Sequence, residues 1–199
     1  MESKPSSPRI LHSRTAAREA VLSILYQVEI GRTTPKQAME DVLEREFYAP
    51  EIVSFIRQLI GGIEKNLEDI DYTIRSFLAT GWTYDRVSVI DRNVLRIACY
   101  ELFCEDNIPP KSSINEAVTL SKKFGTLENS KFVNGLLGRM LETSPKAQWD
   151  PSKHKEEEVL ITEKEESEES EESEEVILIE EGSDEHQKLQ KMKKPKSES

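Results

Sequence analysis

Residues 112–137, SSINEAVTLSKKFGTLENSKFVNGLL, constrain this chain more tightly than any other stretch. Ser113 and Glu116 have the Ser-x-x-Glu spacing of a capping box, in which each side chain satisfies a backbone donor at a helix start. Ala117, Leu120 and Phe124 then share one face, and Gly125 follows where a left-handed cap is expected. After a polar loop at 126–130, apolar residues recur at Phe132, Val133, Leu136, Leu137, Met140 and Leu141. The spacing predicts a tight helical hairpin whose loop presents polar groups to a partner.

Helical periodicity continues along the rest of the chain, with no hairpin signal and no alternating strand of useful length. A first helix is expected over 13–30, burying Ala17, Val21, Ile24, Leu25 and Val28 and ending at Gly31. Thr34, Pro35 and Gln37 supply a cap, a first-turn proline and a capping-box partner for a second helix reaching Phe47. Pro50 opens a third, in which Gly61 and Gly62 cost about 1 kcal/mol each against alanine unless another helix approaches closely. A fourth carries Ile70, Ile74, Phe77 and Leu78 and stops at Gly81. Ser88 and Asp91 can cap a fifth, apolar nearly all round from Val89 to Leu102, which belongs at the centre of a bundle. About seven helices make one all-α domain, large enough for a proper core.

Charge divides the chain. Residues 1–150 hold 19 Lys and Arg against 21 Asp and Glu, whereas 151–199 hold 8 against 17, so the net charge of −11 belongs mostly to the C-terminal quarter. That quarter lacks Phe, Trp and Tyr and is built from Glu, Ser and Lys. It cannot bury enough apolar area to offset a chain entropy of ~1–2 kcal/mol per residue. The expected organisation is a flexible start at 1–12, a helical domain at 13–144, and a disordered acidic tail at 145–199 with a basic end at 188–196. The run VILI at 176–179 is suited to strand addition on a partner, but the favoured alternative is that an acidic tract followed by a basic end simply keeps the chain soluble.

Enzymatic chemistry finds no footing. His12, His154 and His186 are far apart, and Cys99 and Cys104 form no C-x-x-C pair, so no metal set is expected. Free, buried thiols in a reducing cytosol are expected instead. No phosphate-cradling glycine loop is present, and no nucleophile–His–acid set can be assembled. No cofactor, membrane span or secretory signal is implied.

A binding surface is better supported. Arg14 and Arg18 lie one turn apart at the start of the first helix, on the side away from Ala17, Val21 and Ile24. Lys111, Lys122, Lys123 and Lys131 surround the hairpin turn. If the two helix ends meet, these residues form a basic face beside a polar loop; scattered, they are ordinary solvated surface. Tyr26 falls at the edge of the first helix's apolar stripe, with Ile30 one turn on, where closing the core competes with binding a protein.

The stretches ARE-AVLSILYQ, IDRNVLRIACYEL, INEAV, KFG and SKFVNG, in this order, resemble the transcription antitermination factor NusB family over residues 14–141. The resemblance implies an all-helical fold of two packed helical subdomains. It implies a cytoplasmic, non-enzymatic protein that binds single-stranded boxA RNA of nascent ribosomal transcripts together with NusE, a small-subunit ribosomal protein, within the RNA polymerase antitermination complex. Carried over position by position, RNA contacts fall on Arg14, Arg18, Glu128, Asn129, Ser130 and Lys131, and the NusE-facing surface on Tyr26 and Asp91. Family members commonly start the first helix with consecutive arginines; here Thr15, Ala16 and Ala17 separate Arg14 from Arg18. Fewer phosphate contacts weaken RNA binding by the protein alone. A protein-only adaptor with reduced or lost RNA binding is therefore the alternative. An accessory domain of a ribosomal RNA methyltransferase is disfavoured, because no Gly-rich cofactor loop or Pro-Cys motif follows Leu141.

Overall fold

The computed structural model describes residues 10–150, which belong to one compact unit. Seven α-helices run in order among the described residues: α1 Arg14–Gly31, α2 Pro35–Arg45, α3 Pro50–Lys65, α4 Leu67–Phe77, α5 Val89–Phe103, α6 Pro110–Phe124 and α7 Leu127–Thr143. The expected disorder of the tail, its VILI run and its basic end lie outside the described residues.

Helix starts follow local chemistry. Ser13, Thr34, Ser88 and Thr126 each accept a backbone N–H at the first turn of α1, α2, α5 and α7. Gln37 does not complete a capping box on α2; its amide donates to Asp41 instead. Proline at the first helical position opens α2, α3 and α6.

The α6–α7 hairpin departs from expectation in three ways. Because Pro110 can start a helix, α6 begins before Ser113, which lies inside it with its hydroxyl directed to the Pro109 carbonyl. Gly125 sits at φ −119°, ψ −129°, outside the left-handed region. Its lack of a side chain matters for space, since a Cβ there would come within 2.8 Å of the Ser121 carbonyl oxygen. Finally, Thr126 caps α7 at once, so Glu128, Asn129 and Ser130 form the helix's first turn, not a loop.

Helices α1–α3 form one subdomain and α4–α7 the other, with α5 packed against helices of both. Val94, Leu95, Ile97, Ala98 and Leu102 of α5 are buried, as a helix apolar nearly all round requires. Gly62 explains its own presence: a Cβ there would sit 2.0 Å from the Tyr100 hydroxyl of α5. Gly61 faces open space.

Described contacts are also found on either side of residues 13–144. Ile10 and Leu11 pair in parallel with Phe47 and Tyr48, a short strand pair that periodicity is too coarse to reveal. Beyond α7, Lys146 is buried, and its ammonium donates to the carbonyls of Glu101 (2.7 Å) and Ile108 (2.5 Å). Cys99 is buried and its thiol pushed up to about 12 by desolvation, whereas Cys104 is exposed rather than buried as expected.

Candidate nucleic-acid interface

The centre of the α6–α7 junction is a buried carboxylate. Asp91, 2% exposed in the first turn of α5, accepts from Ser88 Oγ, from Ser121 Oγ of α6 (2.8 Å) and from Asn129 Nδ2 of α7 (2.6 Å). One side chain thus ties the start of α5 to the end of α6 and the first turn of α7. Asp91 was expected on a partner-facing surface. Its burial corrects that placement: the carboxylate is consumed by three neighbouring donors.

The same geometry sorts the residues expected to touch RNA. Glu128 and Lys131 are exposed on α7. Asn129 turns its amide inward to Asp91, and Ser130 is buried with its hydroxyl on the Leu127 carbonyl. Lys122 and Lys123 are exposed in the last turn of α6, and Lys123 pairs with Glu19 of α1. That pair brings α1 beside the junction, as a common basic face requires.

Arg18 is the main correction on α1. It was expected on an exposed face, yet it is 4% exposed. Its Nε lies 2.8 Å from Glu101 Oε1 and its Nη2 3.4 Å from Oε2, with Glu116 Oε2 3.8 Å from Nη1. The reason is packing: α1 is covered by α2, α3 and α5, so its apolar stripe is not its only buried side. Arg14 is partly exposed, its guanidinium over the Phe55 ring at 4.9 Å.

Tyr26 is 40% exposed and Ile30 more so, on the surface of α1. Core closure therefore does not account for this tyrosine. Beneath the same helix, Glu29 accepts from Arg92, from Asn93 and from Arg96 Nη1 (2.8 Å), while Arg96 also holds both oxygens of Asp71. Burial alone would raise the Asp71 carboxyl. Hydrogen bonds from Arg96 and Tyr84, with the charges of Arg96 and Arg75, outweigh it and hold Asp71 below the usual carboxylate range. The network fastens α1, α4 and α5 under the Tyr26 surface.

Two structural features near this interface are not announced by the sequence. Glu101 is a fully buried acid whose partner lies 83 positions away, and no local pattern announces it. Trp82, between α4 and α5, stacks on Phe132 of α7. An aromatic following a glycine in a polar connection was the available signal. Among the described residues no group of three or more His, Cys, Asp and Glu side chains could hold a metal ion, and no helix is long and apolar enough to cross a membrane.

The NusB family model matches residues 15–142, from the second residue of α1 to the last turn of α7. The chain belongs to the NusB family. Its curated relatives include the transcription antitermination protein NusB of Desulforamulus reducens, 37% identical over 134 residues that make up 67% of this chain and 93% of the relative. Among solved structures, NusB of T. maritima superposes with a TM-score of 0.63 at 40% identity, covering 67% of this chain and 94% of that one. A complex described as antitermination factors NusB and NusE with dsRNA contains a chain that matches at TM-score 0.61 and 25% identity, covering 65% of this chain and 96% of that one. The all-helical fold expected from periodicity is thus a NusB fold, and residues 1–14 and 143–199 lie outside the family match.

Proposed function

We propose that this protein is a non-catalytic transcription antitermination factor that binds boxA RNA of nascent ribosomal transcripts together with a NusE-type ribosomal protein, in the cytoplasm. The observation that carries the reading is the Asp91 junction. It holds the α6 end and the α7 start rigidly, with Lys122, Glu128 and Lys131 facing solvent beside α1. The NusB–NusE–dsRNA complex among the structural relatives supports both partners.

The exposure of Glu128 and Lys131 and the partial exposure of Arg14 support a division of roles. Arg14, Lys131 and Glu128 are the direct RNA contacts, and Tyr26 is the protein-facing contact. Asp91, Asn129 and Ser130 shape the junction from within, and Arg18 supports α1 through Glu101. With Arg18 paired internally, the start of α1 offers RNA little positive charge beyond Arg14. Weak RNA binding by the isolated protein follows, and this same observation favours the adaptor reading as the second possibility.

Charge reversal at Lys131 separates the two. Lys131→Glu lies on an exposed helix face and leaves the fold intact; RNA affinity measured by anisotropy in the presence of the ribosomal protein falls several-fold, because a phosphate contact is replaced by a repulsion. Unchanged RNA affinity would leave the adaptor.

A further inference from the structure

We propose that Trp82, stacked on Phe132, is a platform on which one base of the bound RNA stacks; the inference deepens the RNA-binding reading above and rests on it. The two rings lie 5.4 Å apart between centroids and 16° from parallel. With one face of its indole on Phe132, Trp82 as a residue is still 53% exposed. Its open face is therefore a flat, apolar, π-rich surface that folding leaves unused.

The connection that carries Trp82 is built, not loose. Gly81 adopts φ +89°, a conformation that side chains disfavour, and the Trp82 N–H donates to the Ala79 carbonyl at 2.9 Å. Arg139 of α7 donates to the Phe77 carbonyl at 2.9 Å, pinning the end of α4 to the helix that supplies Phe132. The indole is thus held before any ligand arrives, which lowers the entropic cost of binding.

Position and chemistry point to RNA. Phe132 follows Lys131 and lies one turn after Glu128, so the aromatic pair adjoins the exposed α7 groups assigned to RNA. One turn further, a Cβ at Gly135 would meet nothing within 4 Å, leaving bare helix beside the stack where a sugar–phosphate backbone has room. Stacked aromatics beside basic groups are how proteins hold unpaired bases.

The test uses the full chain with Trp149→Phe, which leaves Trp82 as the sole indole. A boxA-containing single-stranded RNA is titrated with the ribosomal protein present. Emission from Trp82 is expected to be quenched as RNA saturates, Trp82→Ala to weaken RNA binding roughly 5- to 150-fold, and Trp82→Phe to keep most of the affinity. Should Trp82→Ala perturb the helical fold, the quenching and the Trp82→Phe variant decide alone. Unchanged emission, with Trp82→Ala binding RNA as tightly as the parent, overturns the platform while leaving RNA binding in place. A Trp82→Ala loss confined to ribosomal-protein affinity in the absence of RNA overturns it too, in favour of a protein-docking patch. No RNA binding by the parent with its partner present overturns the proposed function, and the platform with it.

Discussion

Arg18 of α1 and Glu101 of α5 form a two-pronged ion pair, 2.8 Å at its shorter contact, in a part of the protein from which water is all but excluded. Burying both charges is costly, and their mutual attraction roughly offsets that cost only while both are present. Arg18→Ala strands the Glu101 carboxylate and is expected to destabilise the protein by about 3–5 kcal/mol in denaturant unfolding. Arg18→Met combined with Glu101→Leu is expected to restore most of the loss. If Arg18→Ala leaves stability untouched but abolishes RNA binding, the arginine serves RNA directly and the Arg18–Glu101 pair is not maintained in solution.

Asp91 offers a different signature. Asp91→Ala removes the acceptor for Ser121 and Asn129, each left buried or half-buried without its partner, at about 1–3 kcal/mol for each unsatisfied group. RNA affinity should fall as well, although Asp91 never reaches the surface, because the first turn of α7 loses its anchor. Hydrogen exchange localises the effect: amides of 126–131 exchange faster in the variant, while those of α3 do not.

The glycine pair in α3 makes an internal control. Gly61→Ala has open space and is expected to stabilise by about 0.5–1 kcal/mol, the ordinary helix gain. Gly62→Ala drives a methyl into Tyr100, whose hydroxyl is held by Glu105 at 2.6 Å, and is expected to destabilise by about 1–3 kcal/mol. Thermal melts of the two variants should move in opposite directions.

Acid stability should depend on Asp71. Its carboxyl lies lower in the folded protein than in the unfolded chain, so its contribution is complete above the unfolded value, about 3.9, and is lost as pH falls through the lower folded value. Asp71→Asn should therefore flatten the decline in unfolding free energy below about pH 4. An unchanged acid limb would show that the Arg96–Asp71 contact is not maintained in solution.

Local features were legible and long-range ones were not. Thr34 and Ser88 announced their helices because a cap is written within four residues. Gly61 and Gly62 were read as the mark of a close helix approach, which holds for Gly62 against Tyr100. The Ser113–Glu116 spacing misled because Pro110 is a competing start three positions earlier, and a proline at the first turn costs the helix nothing. Arg18 looked exposed because a charge beside an apolar stripe is usually solvated; only the position of Glu101, far along the chain, makes it internal. Asp91 was recognised as a cap, but its donors on α6 and α7 depend on how three helices meet.

The most direct test of the account is an RNA titration at two salt concentrations, with and without the NusE-type protein. Alone, with Arg14 and Lys131 supplying the phosphate contacts, the protein should bind single-stranded boxA RNA weakly, with a slope of log affinity against log salt near −1.4, from about −0.7 for each phosphate neutralised. With the ribosomal protein docked at Tyr26, binding should tighten and the slope steepen, because more phosphates are neutralised together; Tyr26→Ala should erase that gain and leave the weak binding of the isolated protein unchanged. Tight binding by the isolated protein, with the same slope in both conditions and no response to Tyr26→Ala, would contradict it.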